Sequence, residues 1–135
     1  MDAELERTFT FFRFEELRVY HKALDYSTWV IRHTQSFYDK EHGLLSKRFN
    51  SSAQNIALNI AEGSALYRSQ FINHLKIAKS MVRDCLVYTS IARQLNYLSK
   101  EDEEYSRNQL MELTKMIGAL IGSLQKAERF DEEDG

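Results

Sequence analysis

The chain has no proline, five glycines and one cysteine. Without proline and with so little glycine it lacks the usual punctuation of hairpins and sandwiches, which points to long helices joined by short loops. Cys85 alone cannot close an intrachain disulfide, and no basic-then-apolar leader opens the chain, so the expected compartment is a reducing cytoplasm. No apolar run approaches the ~20 residues that span a bilayer. At 135 residues and 43% hydrophobic content the chain fits one domain with one core.

Acids and bases nearly balance, with a net charge of −2, but they are unevenly placed. Residues 13–100 carry 13 Lys and Arg against 7 Asp and Glu, whereas acids gather at Glu101-Asp102-Glu103-Glu104 and Asp131-Glu132-Glu133-Asp134. The first acidic group suits the opening turn of a helix and the second a solvated tail. The body is mildly basic, which permits a polyanionic partner without requiring one.

Apolar periodicity divides the chain into a partly disordered arm at 1–13, an all-α, antiparallel up-down-up-down four-helix bundle at 14–129 and an acidic tail at 130–135. The first helix runs from Phe14–Leu17 to about Tyr38, with Leu17, Tyr20, His21, Leu24, Thr28 and Ile31 as its core seam. Val19, Ala23, Tyr26 and Val30 line the opposite side with Trp29 at its margin, and an outer apolar face implies an oligomer interface through these five residues.

A loop over Tyr38–Gly43 leads to a second helix over 44–62. Gly43 supplies backbone freedom, and Gly63 is read as a left-handed C-cap. Ser69 is the expected N-cap of a third helix reaching Leu95, and Ser99 that of a fourth. The third helix has a broad apolar arc through Phe71, Leu75, Ala78, Val82 and Cys85; the fourth has a seam of Leu110, Leu113, Ile117, Leu120, Ile121 and Leu124. Gly118 and Gly122 lie off that seam, four apart, a spacing that would allow close helix approach but that chance explains better.

On the second helix Arg48, Ser52, Asn55, Asn59 and Glu62 form a polar stripe beside the core face. Asn and Ser build helices poorly, so the stripe is expected to be a buried hydrogen-bond rail to neighbouring helices, at or near a subunit boundary. Glu62, close to the helix C-terminus, needs a partner such as Arg48 of a neighbouring subunit, Arg68 or loop amides to offset the dipole.

Chemistry finds little support. His21, His33, His42 and His74 are scattered, and none has a carboxylate or second histidine at i, i+3 or i, i+4 on an expected core face, so neither metal nor other cofactor is expected. Cys85 falls in an apolar arc with no activating base, and no phosphate loop, GxSxG or CxxC occurs. The reading is a non-enzyme with no small-molecule substrate. Lys76, Lys79 and Arg83, at i, i+3 and i+7, make a basic stripe on the third helix, with Lys47 and Arg68 expected nearby. A solvated face is the plain explanation for three charges, but repetition in an oligomer would turn them into a phosphate-binding surface for RNA.

Phe14-Glu15-Glu16-Leu17 with Tyr20-His21-Lys22-Ala23-Leu24, then Asn55-Ile56-Ala57-Leu58-Asn59-Ile60-Ala61-Glu62-Gly63, then Phe71-Ile72-Asn73-His74-Leu75-Lys76-Ile77-Ala78, resemble the bacterial 23S rRNA intervening-sequence proteins, in order and spacing over about 14–125. The fold is similar to that of the accessory variability protein of diversity-generating retroelements. The resemblance implies a four-helix bundle assembled as a homopentamer, non-catalytic, with RNA or an RNA-associated protein as partner. Members commonly have Ser-Ile-Pro where this chain has Asn55-Ile56-Ala57, so its second helix is expected to run unkinked. The expected function is a homo-oligomeric scaffold binding structured RNA or a ribonucleoprotein through a basic helix face; the alternative is a protein–protein interaction module without a nucleic-acid role.

Overall fold

The computed structural model describes residues 2–38 and 43–134, and all its regular elements are helical. Helix α1 spans Ala3–Phe11, α2 Arg18–Thr34, α3 Leu44–Ser64, α4 Arg68–Gln94 and α5 Lys100–Asp134; a short 3-10 helix, Arg13–Glu16, joins the first two. Five α-helices among the described residues, not four, overturn the expected antiparallel four-helix bundle. The added helix lies on the stretch read as an arm. Asp2 caps it, its carboxylate accepting from the Leu5 amide at 2.8 Å. At the other end α5 continues through the acidic stretch to Asp134. Residues 39–42 of the expected loop, His42 among them, lie outside the described residues.

Helix α2 packs on α3 and α5, α3 on α4, and α4 on α5, while α1 touches only the 3-10 helix. The shared core takes Tyr26 and Val30 from α2, Phe49, Ile56 and Ile60 from α3, Leu75 and Cys85 from α4, and Leu113 and Ile117 from α5.

This core corrects the reading of α2. Val19, Ala23, Tyr26 and Val30 are 5%, 0%, 1% and 0% exposed, so they are interior residues and not an oligomer interface. Trp29 is half-buried, stacked on His33 at 4.2 Å and packed against Tyr26 and Tyr105. Leu24 and Ile31, from the supposed core seam, are each 42% exposed. Both faces of α2 are apolar, and the neighbouring helices break the tie. Tyr26 finds buried partners, its hydroxyl 2.7 Å from that of Ser106, which lies 2.8 Å from the Thr89 hydroxyl. Burial of a side chain such as Val30 adds about 1.5–3 kcal/mol.

Two glycines do different work. Gly43 stands at φ 74 before α3, the left-handed conformation that favours glycine. Gly63, expected to end the helix in that conformation, lies inside α3, which continues to Ser64. A Cβ there would come within 2.7 Å of His74 Cβ and 2.9 Å of Phe71 Cδ1, so the missing side chain lets α3 and α4 approach. As the absent proline predicts, α3 is one helix through Asn55-Ile56-Ala57. Tyr67, not Ser69, is the N-cap residue of α4, whereas Ser99 Oγ accepts from the Asp102 amide at 3.0 Å and caps α5.

Candidate nucleic-acid interface

Charge on α4 and α5 is one-sided where the two helices meet. Helix α4 contains a single acid, Asp84, and α5 contains a single acid, Glu112, between residues 105 and 127. Val82, Arg83 and Leu86 of α4 and Arg107, Asn108, Leu110, Met111 and Thr114 of α5 enclose a groove of about 350 Å³ whose lining includes no carboxylate. Its floor is aliphatic, its walls carry the Arg83 and Arg107 guanidinium groups, and Asn108 and Thr114 add hydrogen-bonding groups.

Beyond the groove the same helix faces continue. Lys79 and Lys76, four and seven residues before Arg83, fall on the same side of α4. Gly118 and Gly122, seven and eleven residues after Met111, extend its line on α5. A Cβ on either would meet nothing within 4 Å, so these glycines leave open space and bring no helix of this chain closer. Among the described residues Lys76, Lys79, Arg83 and Arg107 have no ion-pair partner. Two guanidinium groups in the groove and two lysines on the same side of α4 make a local positive field that the overall charge of −2 conceals.

The five cations singled out from sequence therefore separate. Arg83 lines the groove, and Lys76 and Lys79 lie on the same side of α4 by helical spacing. Arg68 is engaged elsewhere, paired with the Asp131 carboxylate and donating to the Ala127 carbonyl at 3.5 Å, which ties α4 to the end of α5. Lys47 lies in the first turn of α3, a helix that packs on α2 and α4 but not on α5. Arg107 was missed; only the pairing of α4 with α5 brings it opposite Arg83.

The polar stripe of α3 is mostly not a rail between helices. Asn55 Nδ2 donates to the Ser51 carbonyl and Asn59 Nδ2 to the Asn55 carbonyl, each at 2.8 Å within α3. Only Asn59 reaches a neighbour, its Oδ1 accepting from His74 Nδ1 at 3.0 Å. Ser52 is buried, whereas Arg48 and Glu62 are exposed and without an ion-pair partner among the described residues. A second side-chain bond from α3 to a neighbouring helix, unforeseen, runs from Asn50 Nδ2 to Thr34 Oγ1 at 2.8 Å.

Elsewhere the side chains offer little reactive chemistry. Among the described residues no three His, Cys, Asp or Glu side chains are grouped to hold a metal. Cys85 is fully buried; burial, then the nearby Asp84 carboxylate, pushes its thiol above the ordinary range, the opposite of what a nucleophile needs. His21 bonds the Glu15 carbonyl and His33 the Trp29 carbonyl. No helix among the described residues is long and apolar enough to cross a membrane.

Residues 15–119 match the family model described as 23S rRNA-intervening sequence protein. A crystal structure from Bacteroides thetaiotaomicron, described as a protein with unknown function from the S23 ribosomal protein family, is similar with a TM-score of 0.71 and 23% identity, covering 77% of this chain and 95% of that one. At that identity the likeness carries the fold alone. No curated protein matches.

Proposed function

The chain belongs to the 23S rRNA-intervening sequence protein family, helical proteins with no known catalytic role, and on that premise we propose that it is a scaffold holding the backbone of a structured RNA in the α4/α5 groove. The observation that carries this reading is the pair Arg83 and Arg107 in a groove whose lining lacks carboxylates, with Lys76 and Lys79 on the same side of α4. Phosphates are the natural ligand of such a run. The groove lining contains no aromatic ring on which successive unpaired bases would stack, which favours contacts to a folded backbone over a single strand.

Self-association belongs to the same proposal, in a pentamer on the resemblance drawn above, in the cytoplasm. Large apolar side chains remain exposed on two separate surfaces: Leu24, Ile31 and Leu58 on α2 and α3, and Ile77, Val87 and Ile91 on α4 with Leu95 just past its end. Distinct surfaces suit a head-to-tail ring better than a two-fold dimer, and a ring would repeat the basic groove around its rim. The same exposed surfaces favour the second reading, a protein-interaction module without RNA.

Binding of a fluorescent RNA duplex at roughly 50 mM salt separates the two readings. The scaffold reading expects binding that falls tenfold or more in the Lys76→Glu, Lys79→Glu, Arg83→Glu triple variant. Absence of binding by the wild-type protein, or equal binding by the variant, contradicts it.

A further inference from the structure

Helix α1 is an amphipathic helix that meets its own chain only at the 3-10 helix, where the Phe12 ring just past its end packs on Phe14. Leu5 and Phe9, at i and i+4, form an apolar stripe on α1 that Phe12, the residue just past its end, extends; Leu5 is 44% and Phe12 49% exposed. None of its residues is buried, and it packs on none of α2 to α5. An isolated helix of nine residues is marginal in water, so an apolar stripe this regular calls for a partner surface.

A matching surface lies between α2 and α3. Phe14, Tyr20, Leu24, Ala57, Leu58 and Ala61 line an open groove of about 310 Å³ with Ser27 and Gln54 as its polar members and no charged residue. On α3 its line runs back from Leu58 through Gln54 to Lys47, an exposed lysine with no ion-pair partner among the described residues. The beginning of α1 carries the complementary charge in Asp2, Glu4 and Glu6. Groove and helix match in polarity: aromatic rings against an uncharged trough, acids toward Lys47.

We propose that the α2/α3 groove of one copy receives α1 of another copy. The connection favours exchange over folding back. Only Phe12 separates α1 from the 3-10 helix, which packs on α2 and α3 and places Phe14 in the groove wall. At ~1.5 Å per residue α1 carries its stripe some 13 Å clear of that anchor, within reach of a neighbour. This inference rests on the self-association reading and identifies the contact that would produce it; it also gives Lys47 a role that the RNA groove does not.

Sedimentation of the full-length chain tests it, using a defective arm (Phe9→Asp with Phe12→Asp) and a defective groove (Leu24→Asp with Leu58→Asp), each checked for wild-type helicity by circular dichroism. The wild type should associate at micromolar concentration, and each variant alone should be at least tenfold weaker. An equimolar mixture of the two should regain a two-copy species, because the intact arm of the groove variant can enter the intact groove of the arm variant. A monomeric wild type would overturn self-association and the exchange together. A wild-type oligomer unchanged in the arm variant, or a mixture with no two-copy species, would overturn the exchange while leaving self-association standing.

Discussion

The hydroxyls of Tyr26 and Ser106, 80 residues apart in the chain, meet at 2.7 Å in the core. Ser106 also lies 2.8 Å from Thr89 Oγ1, and Thr89 donates its only hydroxyl proton to the Cys85 carbonyl. That carbonyl fixes the direction of the whole row: Tyr26 donates to Ser106, Ser106 to Thr89, and Thr89 to the backbone. The row joins α2, α4 and α5 and holds α2 with its Tyr26 face inward.

Removing the middle of the row should cost more than removing its end. Ser106→Ala deprives the buried Tyr26 hydroxyl of its acceptor and should destabilise the fold by about 1–3 kcal/mol, whereas Tyr26→Phe leaves Ser106 still donating to Thr89 and should cost about 1 kcal/mol. Chemical denaturation of the two variants checks the order. Equal or reversed losses would contradict the assigned direction.

Gly63→Ala should be destabilising by about 1–3 kcal/mol even though alanine is the better helix former. The new methyl would stand 2.7 Å from His74 Cβ, an atom fixed close to the α4 backbone, so the helices must separate. Gly118→Ala and Gly122→Ala, where a Cβ meets nothing within 4 Å, should be neutral or stabilising by up to ~1 kcal/mol. Thermal melts of the three variants distinguish a packing glycine from open ones.

These cases show what was legible in the sequence. Helices α3 and α4 and the Ser99 cap were readable to within a residue or two, because missing proline, apolar periodicity and a capping serine are local signals. The facing of α2 was not readable. Leu17, Tyr20, Leu24 and Ile31 make as good a stripe as Val19, Ala23, Tyr26 and Val30, and the choice depends on Ser106 and Thr89, far along the chain. Helix α1 was hidden because three phenylalanines among charges look like an irregular arm until Leu5, Phe9 and Phe12 are placed on one face. Gly63 looked like a cap because its real constraint is His74 across the α3–α4 contact. The α4 half of the basic groove was visible as a stripe, whereas Arg107 required knowledge of which helix packs beside α4.

Alkaline pH should loosen the fold. Burial raises the Tyr26 hydroxyl and the Cys85 thiol above their ordinary values of 10.0 and 9.0, with smaller contributions from Cys85 on the tyrosine and Asp84 on the cysteine. Unfolded chains release these protons first, so the folded state binds more protons as pH rises past 9.0, and stability falls. Denaturation midpoints should hold near neutral pH and decline above pH 9.0, and Cys85 should resist alkylation until the chain unfolds. A midpoint that is flat through this range would remove the two buried acids from the account.

The slope of log affinity against log salt for a short RNA duplex tests the basic groove most directly. Four cations on phosphates correspond to a slope of about −3 to −4 per chain, at roughly 0.9 for each phosphate neutralised, and Arg107→Glu should make that slope shallower by about one. A slope near zero, or one that Arg107→Glu leaves unchanged, would contradict the groove as the RNA-binding surface.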